Sequence, residues 1–210
     1  MRLYDHPASG NCMKARIALR QLELPYEAVT VDLFKRETRT PEHMARNPDG
    51  RVPVLELDSG HTIPESGAIL LYLAEGTPLL PDDRLARARV HQWMFFEQNQ
   101  IEGQIAVARF LVLTGRADEH PELTAALVAR GHGSLSSLAR GLADDRPFVC
   151  GDDYTVADIA LYAYVHCAGD AGADPREHAH IGGWLDRVES QPGFVNDLEP
   201  LPEHAAARPV

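Results

Sequence analysis

A proline set inside a strand pattern constrains this chain more tightly than any other feature. From Asn47 to Leu73 the sequence reads Asn-Pro-Asp-Gly-Arg-Val-Pro-Val-Leu-Glu-Leu-Asp-Ser-Gly-His-Thr-Ile-Pro-Glu-Ser-Gly-Ala-Ile-Leu-Leu-Tyr-Leu. Asn-Pro and Asp-Gly predict a turn, Arg51 to Leu57 a strand, Asp-Ser-Gly a hairpin loop and His61 to Ile63 a short return strand. Pro53 has no N–H to donate to a ladder, so it belongs at an edge or a strand start, and the sharp turn beside it predicts a cis Val52-Pro53 bond. The Val52 backbone is then left free to pair with a ligand. After Pro64, residues Ile69, Tyr72 and Leu73 recur at helical spacing with Ser66 placed as the N-cap, which makes an anion seat at a helix N-terminus.

The net charge decides what such a seat has to overcome. With 31 acidic against 20 basic side chains, a formal charge of -11 excludes a general nucleic-acid or anionic-membrane surface, so an anionic ligand must be held locally. The start, Met-Arg-Leu-Tyr-Asp-His, has no apolar leader pattern, and no apolar run approaches the ~20 residues that span a bilayer. A cytoplasmic protein is expected. Cys12, Cys150 and Cys167 are widely spaced, with no CxxC pair and no zinc-ligand spacing, so neither a disulfide scaffold nor a metal site is expected.

In chain order, Arg2 to Asp5 reads as a strand, His-Pro-Ala-Ser-Gly-Asn as a turn, Cys12 to Gln21 as an amphipathic helix and Tyr26 to Asp32 as a second strand. Thr40 should cap a short helix over Pro41 to Arg46 with proline in its first position. The order βαβ, helix, ββα predicts an α/β domain of thioredoxin-like topology over residues 1–76. Gly76-Thr-Pro-Leu-Leu-Pro-Asp-Asp is a Pro-rich connector, so 77–85 reads as a linker, and strand signals then vanish. Helical patterns at Arg84–Leu113, Pro121–Leu142, Val156–Ala168 and Ile181–Ser190 predict an all-α C-terminal domain over 86–210, with a disordered tail from Glu203. Thr155 stands three before Asp158, the spacing of a capping box.

The Val-Pro pair before a hairpin, the Glu-Ser pair opening the next helix, and the Asp-Asp-Tyr-Thr-Val-Ala-Asp-Ile string resemble the cytosolic glutathione S-transferase family, in its bacterial, serine-type, theta-like form. One signature lies in each half, so the resemblance covers essentially the whole chain. It implies glutathione as co-substrate. The Val52 backbone would pair with its cysteinyl unit, and Glu65 and Ser66 would hold the amino and carboxylate groups of its γ-glutamyl end. It also implies a homodimer whose interface uses Trp93, Phe96 and polar residues of the Arg84 helix, with Glu97 to Gln100 reaching the partner's γ-glutamyl ammonium.

The glutathione thiol must ionise to attack an electrophile, and lowering its pKa from ~8.5 by about two units needs ~2.7 kcal/mol, within reach of one hydrogen bond plus a helix N-terminus. The loop Pro7-Ala-Ser-Gly-Asn-Cys-Met is placed to supply both. Ser9 matches the family's serine position, and Asn11 is the alternative, acting through its amide. Cys12 stands two residues beyond the place of the cysteine in the mixed-disulfide members and reads as a small buried residue. Tyr4 reads as a strand-core residue. Lys35 and Arg51 are candidate partners for the glycyl carboxylate, with Arg36 and Thr38 as neighbours able to replace either. The second substrate would meet Ala8, Phe34 and the helix around Phe110. The leading reading is conjugation to a small hydrophobic electrophile. Glutathione-dependent reduction of disulfides or peroxides, and a non-catalytic glutathione-binding protein, are the competing readings.

Overall fold

Four strands, β1 (Arg2–Asp5), β2 (Glu27–Thr30), β3 (Val54–Glu56) and β4 (Thr62–Pro64), pair in the order β2-β1-β3-β4 in the computed structural model, which describes residues 1–143 and 146–206. β1 and β2 are parallel because α1 (Gly10–Gln21) carries the chain back to the start of the sheet, whereas β3 and β4 form an antiparallel hairpin. α2 (Pro41–Arg46) and α3 (Ser66–Ala74) complete this thioredoxin-like unit. Its core stacks Leu3 and Leu55 of neighbouring strands with Ile17 of α1 and Ile69 and Leu70 of α3, all fully buried. The strands are shorter than the apolar runs suggest, because β3 begins only after Pro53, whose peptide bond with Val52 is cis.

The chain clusters into two units, Met1–Glu75 together with the stretch from Pro192, and Gly76–Gln191. The second unit is helical: α4 (Arg84–Phe96), a π-helical segment (Glu97–Ala106), α5 (Val107–Leu113), α6 (Pro121–Gly141), α7 (Val156–Val165) and α8 (Ile181–Glu189). The single helix expected over Arg84–Leu113 is therefore divided. In the wider π turns Gln100 has a carbonyl that the Ser134 hydroxyl of α6 reaches at 3.1 Å, and α6 comes close enough that a side chain on Gly131 would press on Ile105. No helix among the described residues is long and apolar enough to cross a membrane.

A further expectation is corrected. The residues from Glu203 to Ala206 form a 3-10 turn with Ala205 buried, so this part of the tail is ordered by its contacts, and residues 207–210 lie outside the described residues. Trp93 and Phe96 are both half-buried: the Trp93 ring lies where a side chain on Gly141 would stand, and Phe96 packs edge-on against it at 5.3 Å. The exposed aromatic of α4 is Phe95, 72% accessible.

At the start of α7 the capping box forms as predicted, Thr155 Oγ1 accepting from the Ala157 amide and Asp158 Oδ2 from the Thr155 amide at 3.0 Å. Asp158 does more than cap. Its Oδ1 accepts from the Val149 amide at 3.0 Å and from the indole N–H of Trp184 at 2.9 Å, so one fully buried carboxylate joins the preceding loop, α7 and α8. Burial pushes this carboxyl up to about 6, against the pull of the four donors around it. Removing it orphans three buried N–H groups, so Asp158→Ala should lower unfolding free energy by about 3–5 kcal/mol in urea titrations. Because the folded pKa is raised, the protonated form stabilises the fold, and that contribution is full below pH 3.8 and lost as pH rises through about 6. The stability difference between wild type and Asp158→Asn should therefore shrink by up to about 3 kcal/mol between pH 4 and pH 7. A pH-independent difference would contradict the assignment.

Candidate functional site

Two helix N-termini meet in the first unit. Ser9 caps α1 from extended backbone, its Oγ accepting the Cys12 amide at 3.3 Å. One turn later in space, Ser66 opens α3 and its buried hydroxyl donates to Asn11 Oδ1 at 3.2 Å. Ser66 is thus not the N-cap. That position falls to Glu65, which turns the chain out of β4 at φ 70°, ψ 116°, a conformation few non-glycine residues adopt. The turn leaves the Ser66 hydroxyl directed at Asn11 and the Glu65 carboxylate exposed, with no hydrogen bond or ion pair among the described residues.

Val52 stands two residues before β3, off the ladder, and among the described residues nothing bonds to its N–H or C=O. Its side chain packs on the cluster of Tyr4, Val31 and Val54, so the residue is held by its apolar end while its amide stays available. The peptide before it is clamped. His43 Nε2–H and Asn47 Nδ2–H both donate to the Arg51 carbonyl at 3.0 Å, and both side chains are buried. The carbonyl only accepts, which fixes the His43 proton on Nε2. Asn47 also closes the preceding turn through Asp49, where Gly50 at φ 62° supplies the left-handed residue. Sequence reasoning missed this clamp; Asn47 was visible as a turn residue, but nothing in the sequence distinguishes His43 from a surface histidine of α2.

The basic candidates are engaged with neighbours. Lys35 Nζ lies 3.3 Å from Asp32 Oδ2 and Arg51 Nε 2.7 Å from Asp49 Oδ2, with 65% and 71% of the two side chains exposed. Arg36 takes a left-handed conformation at φ 62°, while Thr38 is buried. Burial resists ionisation of Asp32, yet the Lys35 amide and ammonium, the Phe34 amide and His204 together hold its carboxyl at about 2.

The loop settles the surroundings of Cys12 and Tyr4. Cys12 is fully buried, and burial drives its thiol pKa far upward, the opposite of what a reactive thiolate needs. Tyr4 is a buried strand residue whose hydroxyl donates to Glu56 at 2.9 Å while Arg46 covers its ring. Ala8 is buried and its amide donates to His6 Nδ1, and Phe34 stacks edge-on against the His6 ring at 5.7 Å. In the second unit Glu97 is buried, Gln98 and Asn99 are exposed, and Phe110 is 40% accessible beneath the Arg116 guanidinium.

The arrangement offers an unbonded backbone amide and carbonyl, an unpaired carboxylate, and two converging helix N-termini whose dipoles favour a negative charge. It suits a ligand that carries both an ammonium and carboxylates and presents a peptide group between them. Comparison with known proteins agrees. Residues 1–75 match the family described as glutathione S-transferase, N-terminal domain, and residues 121–189 the glutathione S-transferase C-terminal domain. Glutathione S-transferase 1 of Schizosaccharomyces pombe is 34% identical, covering 77% of this chain and 73% of that protein. Maleylacetoacetate isomerase of Rhizobium meliloti is 36% identical over 79% of this chain and 80% of its own. A crystal structure of a glutathione S-transferase from Pseudomonas fluorescens superposes with a TM-score of 0.91 at 42% identity, covering 94% of this chain and 98% of that one. This chain belongs to the cytosolic glutathione S-transferase family and is a glutathione S-transferase.

Proposed function

We propose that residues 1–76 bind glutathione and that the enzyme conjugates its thiolate to a small hydrophobic electrophile, with 77–85 as linker and the helical domain from 86 ending at Gln191 rather than at 210, because the stretch from Pro192 clusters with the first unit. The observation that carries this reading is the Ser66–Asn11 bond, which draws the N-termini of α1 and α3 together where an anion and a thiolate gain from both dipoles. Val52 would pair with the cysteinyl unit through its free backbone. Glu65 would take the γ-glutamyl ammonium, and Ser66 with the first amides of α3 its carboxylate. Lys35 and Arg51 would hold the glycyl carboxylate, Lys35 leaving the half-buried Asp32 and Arg51 giving up an exposed pair with Asp49 that is worth only ~0–1 kcal/mol.

Ser9 acts on the sulfur in this serine-type reading. Its Oγ uses a lone pair to cap α1, so the O–H proton can be directed at a thiolate while the cap persists. Asn11 instead anchors Ser66, which gives the two residues separable effects. Ser9→Ala should raise the bound-thiol pKa by about one to two units with glutathione affinity nearly intact. Asn11→Ala should weaken glutathione binding by about fivefold through the freed Ser66. Thiolate absorbance against pH, alongside calorimetric titration, reads both; the reverse pattern would make Asn11 the thiol partner.

The Rhizobium meliloti relative favours a second reading, the maleylacetoacetate isomerisation its name states. Turnover with a panel of aryl halides, organic hydroperoxides, mixed disulfides and maleylacetoacetate decides between the reactions, and failure to take up glutathione at all would leave a protein with the fold alone. The burial of Cys12 weighs against a cysteine-based disulfide mechanism.

The same reading makes the protein a cytoplasmic homodimer. Phe95 and Leu85 stand exposed on α4, and Gln98 and Asn99 are the polar residues placed to reach a partner. Sedimentation at micromolar concentration should give a dimer, and Phe95→Glu, acting twice across a two-fold interface, should give a monomer. A wild-type monomer would count against it.

A further inference from the structure

The stretch from Pro192 joins the first unit without adding a strand or an α-helix to it, and its polar contacts include Arg16 and Arg20 of α1 and two loops. The first is the loop before α1. Arg16, buried, divides its guanidinium three ways: Nε donates to Asp197 Oδ1 at 2.8 Å, one terminal nitrogen to Asp5 at 2.7 Å, and the other to the Pro7 carbonyl at 3.2 Å. The Glu199 amide donates to the same Pro7 carbonyl at 3.2 Å. Gly193, at φ 70°, lets the stretch pass so close to α1 that a side chain there would press on the Gln21 backbone.

The second loop is the turn after β2. His204 Nε2–H donates to Asp32 Oδ2 at 3.0 Å, and its ring meets Phe34 edge-on at 6.0 Å. Asp32 holds that turn together by accepting the Phe34 and Lys35 amides on Oδ1. Its Oδ2 is shared between His204 and the Lys35 ammonium.

We propose that Asp197 and His204 are positioning residues of the glutathione site, Asp197 steering the Ser9 loop through Arg16 and the Pro7 carbonyl, and His204 steering the Lys35 turn through Asp32. The inference deepens the glutathione reading given above and rests on it. Its physical content is a division of labour. Pro7 lies two residues before Ser9, so fixing its carbonyl fixes where the capping hydroxyl can stand. His204 keeps a donor on Asp32 Oδ2 when Lys35 swings away, so Lys35 can transfer to a ligand carboxylate without leaving that oxygen unbonded. With His204 gone, Lys35 is the remaining side-chain donor to Oδ2 and is held back from the ligand.

The two effects separate in the measurements. His204→Ala should raise the glutathione Kd about three- to tenfold with the bound-thiol pKa unmoved, and His204→Gln, whose amide keeps a donor near Oδ2, should recover most of the affinity. Asp197→Ala should raise the bound-thiol pKa by about half a unit with Kd changed less than about twofold, and Asp197→Asn, which keeps an acceptor for Arg16, should restore it. In the ligand-free protein, amide hydrogen exchange should quicken at Phe34 and Lys35 in His204→Ala, and at Ala8 and Ser9 in Asp197→Ala. Variants that melt earlier yet keep wild-type Kd, thiol pKa and exchange would overturn the proposal, as would two variants that shift Kd and thiol pKa alike. Wild-type protein that takes up no glutathione would instead sink the ligand assignment, and the exchange arm would still decide whether the stretch holds the two loops.

Discussion

The hydrogen bond from Ser66 to Asn11 is the interaction on which the site depends, because it sets the start of one helix against the start of another. Neither helix end would bind an anion strongly alone; each contributes partial charge from unsatisfied amides that falls off within a turn. Placed together, the two ends act on one region. The bond exists because Glu65, not Ser66, absorbs the turn out of β4. Had Ser66 been the cap, its hydroxyl would have been spent on an α3 amide. The left-handed Glu65 costs of order 1–3 kcal/mol, and what it gains is a freed hydroxyl on one side and an unpaired carboxylate on the other.

The second unit is arranged around a different economy, one buried carboxylate with donors from three elements. Asp158 receives the Thr155 amide and hydroxyl, the Val149 amide and the Trp184 indole, which ties the start of α7 to the loop before it and to α8. Such a hub is specific because every donor would be orphaned without it. It is also a liability, since the charge is desolvated completely and the carboxyl is held on to its proton nearly to neutrality.

What the sequence made legible follows from which forces are local. The Thr40 cap and Pro41 at N1 mark α2 to its observed bounds of Pro41–Arg46, and Thr155 with Asp158 marks the start of α7, since capping is written in residues three apart. Pro53 reports its own exclusion from the ladder. The π segment was hidden because its apolar residues, Ile101 and Ile105, keep an ordinary helical spacing, and the wider turn is compensated by Ser134 from another helix. The Glu65 conformation was hidden because no side chain encodes it. The tail was hidden for the plainest reason: Arg16 and Asp197 are 181 residues apart, and an isolated aspartate in a polar, Pro-rich stretch carries no sign of its partner.

A chain with a formal charge of -11 that recognises an anion faces a conflict, and the proposed site would resolve it by keeping cations out of its permanent architecture. Arg16 is locked between two aspartates and a carbonyl and serves the loop alone. Lys35 and Arg51 are exposed cations paired with aspartates, Lys35 with the half-buried Asp32 and Arg51 with the exposed Asp49, and water and salt screen the second pair most. In the proposed site a ligand carboxylate would therefore replace Asp49 at little cost, and Asp32 would keep the His204 donor when Lys35 leaves it. The lasting attraction would come from backbone amides, which carry no counter-charge to be displaced and do not titrate. In the proposed site selectivity would then fall to geometry: an anion lacking an ammonium for Glu65 or a peptide unit for Val52 would meet the same dipoles but leave those groups unpaired, an omission that would discriminate among anions in a way that charge alone does not.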